Sequence, residues 1–188
     1  MPNVVHNSSV AALPRITTLP DWLRQELRSD HAGETGAVWL YFGIIKYSRD
    51  PMLTAFARSH LKTEQQHLKY FETWLSSTDK SVLTPLWRIA GWLLGSLACL
   101  GGAAVVYLTI ETVETFVIDH YQQQILKLEQ QQQYPEVAEL LRQFMFDEHH
   151  HCQDAVHRHD IEDTWTTRCW RAIVTQGSVL AVNFARRL

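Results

Sequence analysis

Four glutamates stand in the middle of apolar stripes: Glu34, Glu64, Glu114 and Glu148. A carboxylate in a protein core is costly unless it is paired or bound to a metal. Two of them carry a partner of their own, since Glu64 is followed three residues later by His67, and Glu148 by His151. On a helix, positions i and i+3 share a face, so carboxylate oxygen and imidazole nitrogen converge on one point. A single such pair is a weak signal. The order Glu, Glu-x-x-His, Glu, Glu-x-x-His, with one member per helix, is a stronger one. Glu34 and Glu64 are 30 residues apart and Glu114 and Glu148 are 34 apart, so each half reads as a helical hairpin with the same layout. Two such hairpins related by a pseudo-twofold axis would bring four carboxylates and two imidazoles around two cations. That donor set belongs to a di-iron or di-manganese carboxylate centre.

The elements that must position these groups are all helical. Pro20-Asp21 opens a stripe through Leu23, Leu27, His31, Glu34, Val38, Tyr41 and Ile45, with steps of three and four residues. Asp50-Pro51 is a turn and restart signal, followed by Leu53, Phe56, His60, Glu64, His67, Phe71 and Trp74. A third stripe runs Val106, Ile110, Val113/Glu114, Val117, Tyr121, Ile125, Leu128. Tyr134-Pro135 starts a fourth: Val137, Leu141, Phe144, Glu148, His151, Ala155. Glu111 competes with Glu114 for the third position. Helical phase favours Glu114, in line with Ile110, Val117 and Tyr121, whereas Glu111 aligns with Thr115 and Gln122. A last amphipathic helix runs from about Trp165 to Leu188. Two tight hairpins and one long crossover, over about 77–102, define an all-α, ferritin-like four-helix bundle with a crossover helix and an extra C-terminal helix. The domain spans 20–188, and residues 1–19 read as a loose arm.

The crossover carries a second signal. From Ile89 to Ile110 there is no charge, a length that would suffice to span a bilayer. Gly101-Gly102 interrupts it, and Gly91 and Gly95 weaken it as a helix. The reading is therefore two helices, the first apolar all round and lying in a membrane interface or a partner groove, with docking on a membrane over about 85–102 as the expectation. The net charge of -3 provides no basic field for nucleic acid. Three scattered cysteines make neither a disulfide framework nor a thiolate zinc site. The first nineteen residues lack the features of a secretory or mitochondrial presequence, which points to a bacterial protein at the cytoplasmic side of the cell membrane. Around the six ligand candidates, His149 and His150 read as solvated. His60 reads equally as packing or support. His31 and His120 lie on or near core stripes, and Asp147 is placed to accept the spare N–H of His151. Gly33 and Gly36 flank Glu34, where small residues let helices approach closely. The glutamine tract 122–133 reads as a polar outer face.

The string Asp30-His31-Ala32-Gly33-Glu34-Thr35-Gly36-Ala37 resembles the demethoxyubiquinone hydroxylases, as do Glu64-Gln65-Gln66-His67-Leu68, Val113-Glu114 with His120-Tyr121, and Asp147-Glu148 with His151. These are membrane-associated di-iron monooxygenases of ubiquinone biosynthesis. The resemblance covers roughly residues 21–188, including Pro85-Leu86-Trp87. It implies two iron ions per chain, held by Glu34, Glu64, His67, Glu114, Glu148 and His151, with Glu64 and Glu148 bridging. His31, Asp147, His120 and Tyr121 would support them. It implies O2 and an isoprenoid quinone as substrates and a membrane surface as partner, with the matrix side of the mitochondrial inner membrane as the location in a eukaryote. It leaves open other proteins of ubiquinone biosynthesis, and a second copy of the chain, as further partners. The chain departs from the family pattern at His60, at His149-His150 and in its glutamine tract. Two rival classes use the same bundle: a ferroxidase or iron-storage protein, and a non-catalytic membrane lipid-binding subunit. The uncharged crossover argues against the first and the intact ligand set against the second.

Overall fold

A computed structural model describes residues 13–188, and the described residues contain helices and no strand. After a short 3-10 turn at Ile16–Thr18 come α1 (Asp21–Tyr47), α2 (Pro51–Trp74), α3 (Thr84–Leu100), α4 (Ala103–Gln131), α5 (Pro135–Val156) and α6 (Trp165–Arg187). Two hairpins, α1–α2 and α4–α5, make the four-helix ferritin-like bundle, and α3 is the crossover between them. The turns are those the sequence signals. The Asp50 carboxylate caps α2 by accepting from the Met52 amide at 2.8 Å, with Pro51 in the first turn. Between α4 and α5, Gln132 and Tyr134 take the left-handed conformation, which breaks the helix before Pro135.

The core is divided by a polar layer. Below it pack Leu23, Leu27, Phe71, Tyr121, Leu128, Leu141 and Phe144; above it pack Tyr41, Ile44, Leu53, Phe56, Val106 and Ile110. Each buried Leu or Phe contributes about 1.5–3 kcal/mol. On α1, α2, α4 and α5 alike, the residue at the boundary is a glutamate: Glu34, Glu64, Glu114 and Glu148, each at most 3% exposed.

The crossover differs from an apolar rod with weak points. One face of α3 is buried on α1, and Gly91 and Gly95 are what permits it. A Cβ at Gly91 would lie 2.1 Å from the Gly36 carbonyl oxygen, and one at Gly95 would lie 2.1 Å from that of Leu40. These glycines give close backbone contact. The opposite face is bare, exposing Leu86, Ile89, Leu93, Leu97 and Leu100. Gly95→Ala should therefore force α3 off α1 and cost about 1–3 kcal/mol in chemical denaturation, as overpacking does. An unchanged midpoint would contradict that contact.

The C-terminal helix α6 lies on α1 and α4. Arg186 pairs with Glu26 at 2.8 Å, and the Trp170 indole donates to Thr109 Oγ1 at 2.8 Å. The backbone of Val82, just before α3, donates to Leu188 at the end of α6, so both helices present their apolar faces from the same end of the bundle. The arm expected over 1–19 needs correction in its last part. Residues 1–12 lie outside the described residues, but Ile16 and Leu19 are buried in the core, and the Trp74 indole donates to the Pro14 carbonyl at 2.9 Å. Two apolar side chains in so short a segment suffice to seat it. Among the described residues, no helix is long and apolar enough to cross a membrane.

Candidate metal centre

The six residues singled out by spacing meet in the polar layer. Their donor atoms form two groups, each within 4.8 Å: Glu34, Glu64, His67 and Glu148, and Glu64, Glu114, Glu148 and His151. Glu64 and Glu148 belong to both. Each group holds one unshared glutamate and one histidine, which is the pseudo-twofold layout of the two hairpins.

Close contact without hydrogen-bond geometry marks these atoms. His67 Nδ1 lies 3.0 Å from Glu148 Oε1, and His151 Nδ1 lies 2.9 Å from Glu64 Oε1. Yet Glu34 Oε2, Glu64 Oε1, His67 Nδ1 and Glu148 Oε1 are buried with no hydrogen-bond partner. Buried polar atoms of native proteins are almost always satisfied. Lone pairs converging from several helices on common points are what a cation requires, so the residues present fit metal ions. The His67 ring supports this, since Nε2 lies 3.1 Å from Asp147 Oδ2, a partner that would hold the ring with Nδ1 facing the carboxylates and free to bind a cation.

Electrostatics agree. Burial raises the Glu114 carboxyl well above its usual range, with Glu148 and Glu64 adding to the effect. Burial, and then the charge of Glu148, push Glu64 up to about 8. Burial also opposes ionisation of Glu148, but the neighbouring His151 and His67 rings overcome it and hold that carboxyl below the usual range. Four carboxylates in one dry layer cannot all ionise on their own. Compensating positive charge would release the protons that Glu64 and Glu114 otherwise keep.

Two tyrosines hold the unshared glutamates. Tyr121 donates to Glu34 Oε1, and Tyr41 donates to Glu114 Oε1 at 3.0 Å. Tyr41 also lies 3.2 Å from His60 Nδ1, and His60 stacks on the His151 ring with centroids 4.2 Å apart. His60 Nε2 lies 3.1 Å from Asp154. His60 is thus both support and packing.

Asp147 requires a correction, because it serves His67 across the bundle and not its own neighbour His151. Helices α2 and α5 run antiparallel, with 67 opposite 147 and 60 opposite 154, so each aspartate meets a histidine of the other helix. Glu111 lies outside both groups and binds Arg171 at 2.8 Å and His159 at 2.9 Å, tying α4 to α6. His149 and His150 are exposed. His31 is buried in α1 outside both groups, and burial first, then the charges of Lys80 and Arg88, lower its pKa to about 4. His120 sits 3.0 Å from Asp30, which also accepts from Gln124 at 2.8 Å. Gln124 is the one buried glutamine of the tract, beside the buried Ile125 and Leu128; the other glutamines that α4 carries are exposed.

An apolar cavity of about 640 Å³ reaches the carboxylates Glu34, Glu64, Glu114 and Glu148. Its walls come from Gly33 and Gly36 of α1, Trp87 and Leu94 of α3, Val113 and Val117 of α4, and Ile173 and Gly177 of α6. Its polar end is Ser29, Asp30 and His120.

A ferritin-like helical bundle with two overlapping Glu/His groups that could hold metal ions is the class defined here. The comparisons narrow it. The family model described as ubiquinone biosynthesis protein COQ7 matches residues 21–185, and the chain belongs to that family. It is 30% identical over 187 residues to the human protein named NADPH-dependent 3-demethoxyubiquinone 3-hydroxylase, mitochondrial, covering 97% of this chain and 81% of that one. The mouse protein of the same name is 30% identical over 166 residues, or 86% and 76%. A Rhodospirillum rubrum protein named 3-demethoxyubiquinol 3-hydroxylase is 31% identical over 105 residues, or 54% and 50%.

Proposed function

We propose that this chain is a di-iron monooxygenase that places a hydroxyl group on the ring of demethoxyubiquinol in ubiquinone biosynthesis. The observation that carries the reading is a largely apolar cavity that reaches the four glutamates. The uncharged face of α3 beside the cavity suits a lipid substrate better than the aqueous iron of a ferroxidase, although Ser29, Asp30 and His120 give the cavity one polar end. The relatives' names supply the ring chemistry.

One ion would be held by Glu34 and His67, the other by Glu114 and His151, with Glu64 and Glu148 reaching both. Iron there supplies the redox capacity to reduce O2. In balance, O2 with two electrons and two protons converts a ring C–H into C–OH and releases water; the mouse relative's name gives NADPH as reductant. The chain's own residues set the stage. Tyr121 and Tyr41 fix the orientation of Glu34 and Glu114, and Asp147 fixes the His67 ring. Valine, leucine and tryptophan walls keep out water that would quench a strong oxidant. The exposed leucines of α3 and the apolar edge of α6 would dock on the cytoplasmic surface of the membrane, from which a lipid quinone enters.

Anaerobic reconstitution should load close to two irons per chain. Cells that lack this hydroxylation step should regain ubiquinone on expressing the chain. One tightly held zinc without iron uptake, or accumulation of the demethoxy intermediate beside rapid oxidation of free ferrous iron, would refute the proposal.

A further inference from the structure

Three helix-interior glycines have no steric reason to be glycine. A Cβ at Gly33, Gly36 or Gly177 would meet nothing within 4 Å, and none of the three has a positive φ. Glycine inside a helix is less favourable than alanine, so each weakens its helix without relieving a clash at its own Cβ. Gly91, Gly95 and Gly43 contrast with them, since a Cβ there would run into backbone at 2.1, 2.1 and 2.4 Å. All three unconstrained glycines line the cavity that reaches the carboxylates.

Their placement gives the cavity a direction. Gly33 and Gly36 line it on α1, on either side of Glu34, whose Oε2 is buried without a hydrogen-bond partner. Gly177 stands on α6 and is exposed, with Ile173 and Leu180, also exposed, one turn to either side. Helices α3 and α6 both lie on α1 but make little direct contact with each other. Small residues face the slot between them: Ala90 and Gly91 on α3, Gly177 and Ala181 on α6. The slot opens among the bare leucines Leu86 and Leu180.

We propose that Gly177 is the aperture through which the isoprenoid tail of the substrate leaves the cavity, and that it sets the enzyme's tolerance for a tailed quinone. The inference rests on the quinone reading above and adds a residue to it. A ring seated at Glu34 must carry its tail outwards, and the same cavity is bordered by Gly177 at this slot. A side chain at 177 would fill the slot without touching the carboxylate layer.

The test compares Gly177→Leu, Gly177→Ala and, as a control, Gln176→Leu, which puts the same leucine on an exposed position outside the cavity. Metal-free protein in detergent is titrated with a decyl-tailed dimethoxy-methyl benzoquinone and with its tail-free parent. Quenching of tryptophan fluorescence reports binding, because Trp87 lines the cavity. Gly177→Leu should weaken the tailed quinone at least tenfold and leave the tail-free ring within twofold. In the iron-loaded enzyme KM for the tailed substrate should rise while kcat with the tail-free ring stays. Gly177→Ala should melt higher than the wild type and bind with an intermediate loss. Equal loss of both quinones, or tailed binding unchanged in Gly177→Leu, would overturn the aperture. Failure of the wild type to bind either quinone would overturn the substrate reading instead, so the two failures are distinct.

Discussion

Glu148→Ala should abolish uptake of both metal ions, whereas Glu114→Ala should leave one ion bound. The difference follows from membership: Glu148 belongs to both donor groups and Glu114 to one. Glu148 also accepts from His151 at 3.2 Å and lies 3.0 Å from His67, so its removal leaves both imidazoles without their shared carboxylate. Loss of a residue that merely orients a ligand costs about 10–100-fold in affinity or activity. Losing a ligand itself, shared or not, should exceed that, with hydroxylation falling by more than ~100-fold in both variants. Elemental analysis after anaerobic reconstitution separates them. Glu111→Ala is the control, since it breaks the link to Arg171 and His159, should cost roughly 1 kcal/mol, and should keep both ions. Full metal in Glu148→Ala, or loss in Glu111→Ala, would show that the centre is misassigned.

Much of this was legible in the residues because the signals were local and periodic. Steps of three and four marked α1, α2, α4 and α5, and phase alone separated Glu114 from Glu111. Contacts between helices were harder. Asp147 lies one turn before His151 on α5, so a single-helix view pairs them. Only the antiparallel register of α2 and α5 gives it to His67. The same register pairs His60 with Asp154, a residue with no mark of its own except its place seven residues after Asp147. Tyr41 was visible on the α1 stripe, two turns from Glu34, but its hydroxyl's partner sits on α4. Glycines were ambiguous for a related reason. A glycine in a sequence does not say whether backbone presses on it, as at Gly95, or whether a cavity borders it, as at Gly177.

Leu93→Glu combined with Leu97→Glu should release the protein from liposomes and spare its metal. Both side chains point away from α1, at 45% and 52% exposure, one turn apart on the bare face of α3. Trp92 is a poorer probe, because its ring packs edge-on against Tyr47 at 5.6 Å and its carbonyl oxygen is a contact for Gly43. Burying a leucine contributes about 1.5–3 kcal/mol. Losing two would cut partitioning about 10²–10⁴-fold, since each 1.4 kcal/mol is a factor of ten, and two desolvated charges would add to that. The face extends beyond α3. The hydrogen bond from Val82 to Leu188 brings the start of α3 beside the end of α6, where Phe184 and Leu188 are also exposed. Ile173→Glu with Phe184→Glu, on α6, should therefore release the protein as well. The carboxylates lie inward of both helices, so reconstituted iron should be unchanged in each double variant. Carbonate should strip the wild type from membranes, because no described helix is long and apolar enough to span one. Retention after carbonate, or liposome binding unaffected by all four glutamates, would refute docking through this face.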